Sequence, residues 1–339
     1  MNSENRTSHV QFTFTADKKQ SPIRIDRFIK DRIENASRTK IQQAIEQGKV
    51  LVNNLAVKAN YKVRPQDEIE VISFEEPRIY EVVPQQMNLD IFYEDDEVLL
   101  INKPAGMTVH PGVGNYDRTL SNGLAHYLGD DIHQSDRHPF LVHRIDKNTS
   151  GLLLVAKDEV STRILGKQFQ DHSIVRKYYA LVWGSPAEKE GTIATNITRS
   201  NQNRKVFTTT MDPEVGKHAI THYKVIEDFT YVSLVECQLE TGRTHQIRVH
   251  MKHIGHPLFS DSTYGGDKIR KGVVFSKYKQ FVENCFSKLP RQALHAKTLG
   301  FVHPKTNETM FFESELPDDM AQVIQKWRDV SGTYDFNKT

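Results

Sequence analysis

Cysteine is nearly missing from this chain: Cys237 and Cys285 stand far apart among 339 residues. Neither has a CxxC partner, which argues against a disulfide framework or a zinc ribbon and makes a reducing cytoplasm the expected compartment. Long hydrophobic runs are missing too. No window approaches the ~18 apolar residues of a membrane helix, and residues 1–9 are polar, without the apolar core of a signal peptide. Charge of one sign is also scarce. A formal net charge of +2 cannot argue for nucleic-acid binding unless the charges are unevenly spread. Neither a glycine-rich phosphate loop nor a dinucleotide fingerprint occurs, so no cofactor is expected from motifs.

The remaining composition, 37% hydrophobic and 26% charged, suits a protein of two domains, one with a sizeable core. Residues 1–20 form an extension in which Val10, Phe12 and Phe14 alternate with polar residues as in an edge strand. A small unit follows over 21–75. Asp26 is expected to cap a helix bearing Phe28, Ile29 and Ile33, and Ser37 a second bearing Ile41, Ala44 and Ile45, with Gly48 at its end. Strands are expected at 50–52 and 56–58 across Asn53-Asn54, whose tolerance of positive φ suits a tight hairpin, and at 68–72. Residues 76–88, with Pro77 and Pro84, read as a linker, and 331–339 as a frayed tail.

Between Arg24 and Lys49 there are seven Lys/Arg against four acids. A solvated helical surface accounts for that excess as well as phosphate binding does. The longer pattern is more specific. Arg38-x-Lys40-Ile41-x-x-x-Ile45-x-x-Gly48-Lys49-Val50-x-Val52-Asn53, followed by Val63-x-Pro65-x-Asp67-x-Ile69, resembles the small S-four-type RNA-binding domain. It departs at Asn54 and Gln66, turn positions where that family usually has Gly.

Over 89–330, strands are expected at 98–101, 152–156, 178–183, 232–239, 298–302 and 309–312, the last two as a hairpin. Helices are expected at 120–128, 161–172, 244–254 and 317–327. The two kinds do not alternate regularly, which predicts an α+β, largely antiparallel domain. Three polar segments stand out within it. His143-Arg144-Ile145-Asp146-Lys147-Asn148-Thr149-Ser150-Gly151 is a turn set against the apolar run Leu152 to Ala156. It offers a carboxylate on a rigid platform, although such turns are often only structural. Arg176-Lys177-Tyr178 begins a strand in which Tyr178 alone would read as a sheet tyrosine. Thr241-Gly242-Arg243-Thr244-His245-Gln246-Ile247-Arg248 delivers Arg243 at the entrance of a helix, where alone it would cap, bridge or bind a phosphate.

Together these segments resemble the RluA-type pseudouridine synthases, the RluD-like branch in particular. The Asp146 turn looks like their hallmark, with Ile145 in place of the usual Leu. Ile101-Asn102-Lys103-Pro104-Ala105-Gly106 resembles the segment before it, and Gln292-Ala293-Leu294-His295-Ala296 the late apolar motif. The resemblance implies isomerisation of uridine in RNA, most of all large-subunit ribosomal RNA or an assembling ribosomal particle, by a monomer that needs no cofactor and no membrane. Asp146 would be the essential carboxylate, Arg243 its salt-bridge partner, Tyr178 the ring that stacks on the uracil, and Leu294 part of the pocket wall. Arg144 would fill the stack vacated by an extruded base. Arg27, Arg38, Lys40 and Lys49 in the first unit, and Arg199, Arg204 and Lys205 in the second, would track phosphates. Thr198-Arg199-Ser200-Asn201 departs from the family's more usual Gly-Arg-His.

Two other classes compete. His245, His250, His253 and His256 cluster, but no HExxH or neighbouring acid supplies a metal-ligand pattern, so no metal is expected. A non-catalytic RNA-binding ribosome-assembly factor would need only the first unit, and the joint presence of Asp146, Tyr178 and Arg243 argues against it.

Overall fold

The apolar run 152–156 is the middle of a strand buried on both faces, which is why it does not alternate. The computed structural model describes residues 12–33, 37–72, 82–112, 114–129, 141–200, 202–203, 206–273 and 275–333. They fall into two compact units that divide between Glu81 and Val82. Val10, Arg204, Lys205 and much of the expected linker and tail lie outside the described residues.

The first unit contains β1 (Phe12–Thr15), β2 (Ile23–Arg24), α1 (Ile25–Lys30), α2 (Arg38–Glu46), β3 (Val50–Val52), β4 (Leu55–Ala56), β5 (Lys62–Val63) and β6 (Glu68–Val71). Its main sheet runs β1-β6-β3-β4, so β1 is the expected edge strand. Ile41, Ala44 and Ile45 form the buried stripe of α2 and pack with Phe28, Ile29, Val50 and Ile69. Ser37 caps α2 by accepting from the Lys40 amide at 3.3 Å. The other expected cap is corrected: α1 starts one residue before Asp26, with Arg24 as its N-cap. Asp26 is instead enclosed, and accepts from Arg24, Arg38 and Gln42. Burial pushes its carboxyl up, but these donors outweigh burial and hold it at about 2. Asn53, Asn54 and Gln66 have φ of 49°, 65° and 67°, so both departures from glycine fall on left-handed positions. Asp67 staples the hairpins together, accepting from Tyr61, Asn53 and the Arg64 amide.

The second unit is α+β. It contains β7 (Ile91–Glu94), β8 (Val98–Lys103), α3 (Leu120–Tyr127), β9 (Ser150–Ala156), α4 (Glu159–Gln170), β10 (Val175–Trp183), β11 (Glu190–Arg199) and β12 (Phe207–Thr210). After these come β13 (Lys217–Asp228), β14 (Val232–Leu239), α5 (Gln246–His253), α6 (Ser276–Lys288), β15 (Leu294–Val302), β16 (Thr309–Glu313) and α7 (Asp318–Thr333). They build a 10-stranded sheet in the order β12-β11-β13-β14-β10-β15-β9-β8-β7, with β16 also paired to β15. Leu153, Val155, Tyr178, Ala180 and Val182 face one core together with residues of α3 and α5. Leu152 and Leu154 face a second core with α4, and Leu181 and Trp183 a third with α6 and α7. Both faces of the central strands are therefore covered by helices. The hairpin over 303–307 forms as expected and is held by His303, whose Nδ1 accepts from the Lys305 and Thr306 amides while Nε2 meets Asp95 at 3.1 Å.

Among the described residues, pairing is antiparallel except between β9 and β15, where Ser150 faces His295 and Gly151 faces Ala296. A Cβ on Gly151 would stand 2.3 Å from the Ala296 carbonyl oxygen, and its φ of +112° is foreign to L side chains. Strain and overlap together set the expected cost of Gly151→Ala at about 3 kcal/mol. Denaturant unfolding measures it, and an unchanged midpoint would mean that the sheet opens here without penalty.

Candidate active site

The site grows from the turn that feeds β9. Its backbone is tied on every side. The Asp146 carbonyl accepts from the Thr149 amide at 3.0 Å, and the Lys147 carbonyl from the Gly106 amide at 2.8 Å. Buried Lys103 spends three donors on the carbonyls of Pro104, Met107 and Lys147, at 2.8, 2.8 and 3.2 Å. Burial pushes its ammonium down to about 7, against the pull of Asp146. From the other side Arg291 donates to the Asn148 carbonyl at 3.2 Å and holds Asp319 of α7 bidentately at 2.7 and 2.8 Å. A turn pinned this way fixes the direction of its side chains.

The Asp146 carboxylate, one-fifth exposed, accepts from Nη1 of Arg248 at 3.0 Å. The other edge of that guanidinium is committed to buried Asp261, at 2.7 and 2.9 Å. Burial alone would lower the Arg248 pKa, and the two carboxylates more than reverse that. His245 approaches the same oxygen of Asp146 with Nε2 at 3.8 Å. Its Nδ1 lies 2.9 Å from the Tyr264 hydroxyl, which already accepts from the Phe207 amide at 3.1 Å. With the hydroxyl donating to Nδ1, the imidazole proton would sit on Nε2, facing Asp146. Burial keeps His245 below the usual imidazole range.

Here the expected pairing is corrected. Arg243 lines the same cavity as Asp146, but its Nε donates to the His218 carbonyl at 2.9 Å, and the ion pair to Asp146 belongs to Arg248. Arg248 and Asp261 were missed by sequence reasoning, although Arg248 stands five residues beyond Arg243 in the same polar segment.

Asp146 sits where two cavities meet. The inner one, of about 60 Å³, is lined by Tyr178, Leu239, Ile247 and Leu294 among others. The outer one, of about 440 Å³, is lined by polar groups including Thr108, Asn115, Lys147 and Thr263. Tyr178 is buried on β10, and burial keeps its phenol protonated, with Asp146 reinforcing and Arg176 opposing the shift. Arg144 is exposed and borders both cavities. Residues 145, 178, 247 and 294 belong to one apolar core, so the inner cavity is a gap in the sheet's packing with a carboxylate at its mouth.

The expected phosphate contacts are scattered. Arg27 is exposed, Lys40 and Lys49 are half-buried, and Arg38 is held by Asp26 at 3.0 Å. Arg199 lies over the Phe207 ring at 5.3 Å. The clustered histidines each have a separate partner: Thr195 and Thr221 for His250, Thr209 for His253, and the Trp183 carbonyl for His256.

A mostly antiparallel sheet covered by helices, with an ion-paired aspartate over a tyrosine-walled cavity, defines an enzyme scaffold whose first unit is separately folded. Comparison with known proteins supplies the family. Residues 97–253 match the family model described as RNA pseudouridylate synthase, and residues 23–69 the S4 domain. An uncharacterized RNA pseudouridine synthase of Chlorobaculum parvum is 45% identical over 322 residues, 94% of this chain and 98% of that protein. A ribosomal large subunit pseudouridine synthase D of Zymomonas mobilis is 40% identical, covering 89% of this chain and 93% of its own. The solved structure of human RNA pseudouridylate synthase domain containing 4 has the same fold, with a TM-score of 0.56 at 24% identity over 70% of this chain and 92% of that one. The chain belongs to the RNA pseudouridine synthase family and carries an N-terminal S4 domain.

Proposed function

We propose that this enzyme converts uridine to pseudouridine in large-subunit ribosomal RNA, free or in an assembling particle, and that Asp146 carries the bond exchange. It would work as a cytoplasmic monomer. The observation that supports the reading most directly is the Asp146 carboxylate, held by one N–H of Arg248 where two cavities meet, one of them walled in part by Tyr178, Leu239, Ile247 and Leu294. The reaction breaks the C1′–N1 bond, rotates the uracil and joins C5 to the same carbon, with no change in mass or oxidation state. An ionised, oriented carboxylate suits either attack at C1′ or removal of the C2′ proton. Tyr178 offers a flat face for the loosened base. Arg243, held beside the cavity mouth, positions the substrate and leaves the carboxylate to Arg248.

A uridine in structured RNA must leave its stack, at a cost of a few kcal/mol. Exposed Arg144, two residues from Asp146, is placed to fill the gap. Flanking nucleotides belong in the outer cavity, and the S4 domain adds phosphate contacts through Arg27, Arg38, Lys40 and Lys49. Arg199, Arg204 and Lys205 serve the same end in the second unit.

A transcriptome-wide pseudouridine map with the gene present, deleted, and complemented by Asp146→Asn tests this. Sites in large-subunit RNA should vanish in both altered strains. An unchanged map would return the protein to the role of an RNA-binding assembly factor, and sites lost only from transfer RNA would overturn the substrate.

A further inference from the structure

Four buried cations of the second unit have their charge or their donors engaged. Arg248 holds Asp146 and Asp261, Arg291 holds Asp319, Lys297 pairs with Glu313, and Lys103 spends three donors on carbonyls. Arg176 differs. It is 7% exposed, and among the described residues no carboxylate pairs with it. Nη2 donates to the Glu240 carbonyl at 2.9 Å, while buried Nε has no hydrogen-bond partner. Three of its neighbours are uncharged: the Phe169 ring at 5.4 Å, the Tyr178 phenol, and His143, which burial and the Arg176 charge itself push down to about 3. A guanidinium enclosed this way is costly unless a partner arrives later.

Arg176 lines the inner cavity together with Asp146 and Tyr178. Gly242 makes the position possible, since a Cβ there would lie 2.9 Å from Nη1 of Arg176. We propose that Arg176 binds the uracil itself, donating from its guanidinium to a ring carbonyl oxygen. This rests on the reading that the inner cavity receives the extruded uridine.

The chemistry of the base accounts for a cation in that position. When the C1′–N1 bond breaks, its electron pair goes to the uracil and spreads over N1, O2 and O4. When C5 bonds to C1′ the pair returns, and the C5 proton is finally exchanged for one on N1. A fixed guanidinium at O2 or O4 stabilises the intermediate charge without reorganising. At O4 it would also select the base. Cytosine would present its amino donors where uracil presents O4, leaving donor against donor in a buried site. Tyr178, Leu239, Ile247 and Leu294 give the same cavity apolar surface against which a flat base can lie.

The test uses the full chain and a short large-subunit RNA transcript with one modifiable uridine, present as uridine, 2-thiouridine or 4-thiouridine, since sulfur is the weaker acceptor. Arg176→Met is expected to slow single turnover on uridine by about 10- to 100-fold. Wild type is expected to slow about tenfold on one of the two thio bases, and Arg176→Met to treat that base and uridine alike, as a lost shared contact requires. Wild type indifferent to both thio bases, or a variant that discriminates as wild type does, would overturn the proposal. If Arg176→Met does not fold, Gly242→Ala, which displaces Nη1 without removing the charge, is read the same way, with Arg176→Lys beside it. Asp146→Asn should be inactive on all three RNAs. Activity in that variant would sink the reading of the cavity, whereas a thio-base result alone decides Arg176.

Discussion

Replacing Asp146 by Asn is expected to lower single-turnover pseudouridine formation by about 10⁴-fold or more while RNA affinity changes by less than about tenfold. Asn matches the side chain in volume and still offers an oxygen to Nη1 of Arg248, and Arg248 keeps its bidentate hold on Asp261. The turn, pinned through its backbone by Lys103 and Arg291, has no reason to move. What is lost is the negative charge and the basicity at the junction of the two cavities. Affinity should survive because it comes mostly from phosphate contacts spread over both units. Tritium release from RNA labelled at uridine C5 measures the rate, and filter binding the affinity. A variant that keeps its rate ends the assignment of Asp146. One that loses rate and binding together places Asp146 in recognition.

The second large effect is expected from Arg248→Met. This change strips the cation from two carboxylates at once, one of them the buried Asp261. Leaving a buried charge unpaired costs about 3–5 kcal/mol, so unfolding should move to markedly lower denaturant. Activity should fall by about 10²- to 10³-fold in the fraction that remains folded, since Asp146 loses the donor that sets its direction. Arg248→Lys restores a charge but cannot serve both carboxylates through one planar fork; it should recover stability more than rate. Arg243→Met is the informative contrast. Its side chain is tied to a carbonyl, so its loss should raise KM for RNA with little effect on unfolding. If instead Arg243→Met unfolds the protein and Arg248→Met does not, Arg248 is not the partner of Asp146.

That contrast marks where the sequence stopped being legible. The turn at 143–151 could be read because a polar turn set against an unbroken apolar run marks the entrance to a buried strand, and the Asn53-Asn54 hairpin because its residue types tolerate positive φ. The partner of Asp146 could not. Two arginines stand five residues apart, and which of them faces the turn depends on the rotational phase of α5. A capping residue would have set that phase. None is there: the helix begins at Gln246, and its N-cap His245 lies in the left-handed region with φ of 57° and makes no side-chain cap. The same absence hid α6, whose N-cap is Phe275, although Tyr278, Val282 and Cys285 form a helical stripe. The long strands β11 and β13 were missed for another reason. Their outward faces carry Thr, Asn, His and Lys over half-exposed surface, so too few apolar residues alternate to announce a strand. Asp261 is legible only in space, from a loop remote in sequence from the turn it serves.

The parallel pairing between β9 and β15 also governs the order in which the molecule can be made. Ser150 meets His295 across 145 positions, and Arg291, Gln292 and Ala296 are the groups that brace the turn from behind. Contacts of such long sequence separation form late, because the loop entropy must be overcome before any of them is gained. The S4 domain, by contrast, closes its core from residues that all lie between Phe12 and Val71. A nascent chain therefore completes its first unit well before the frame around Asp146 exists, and the frame closes only when the last strands have left the ribosome.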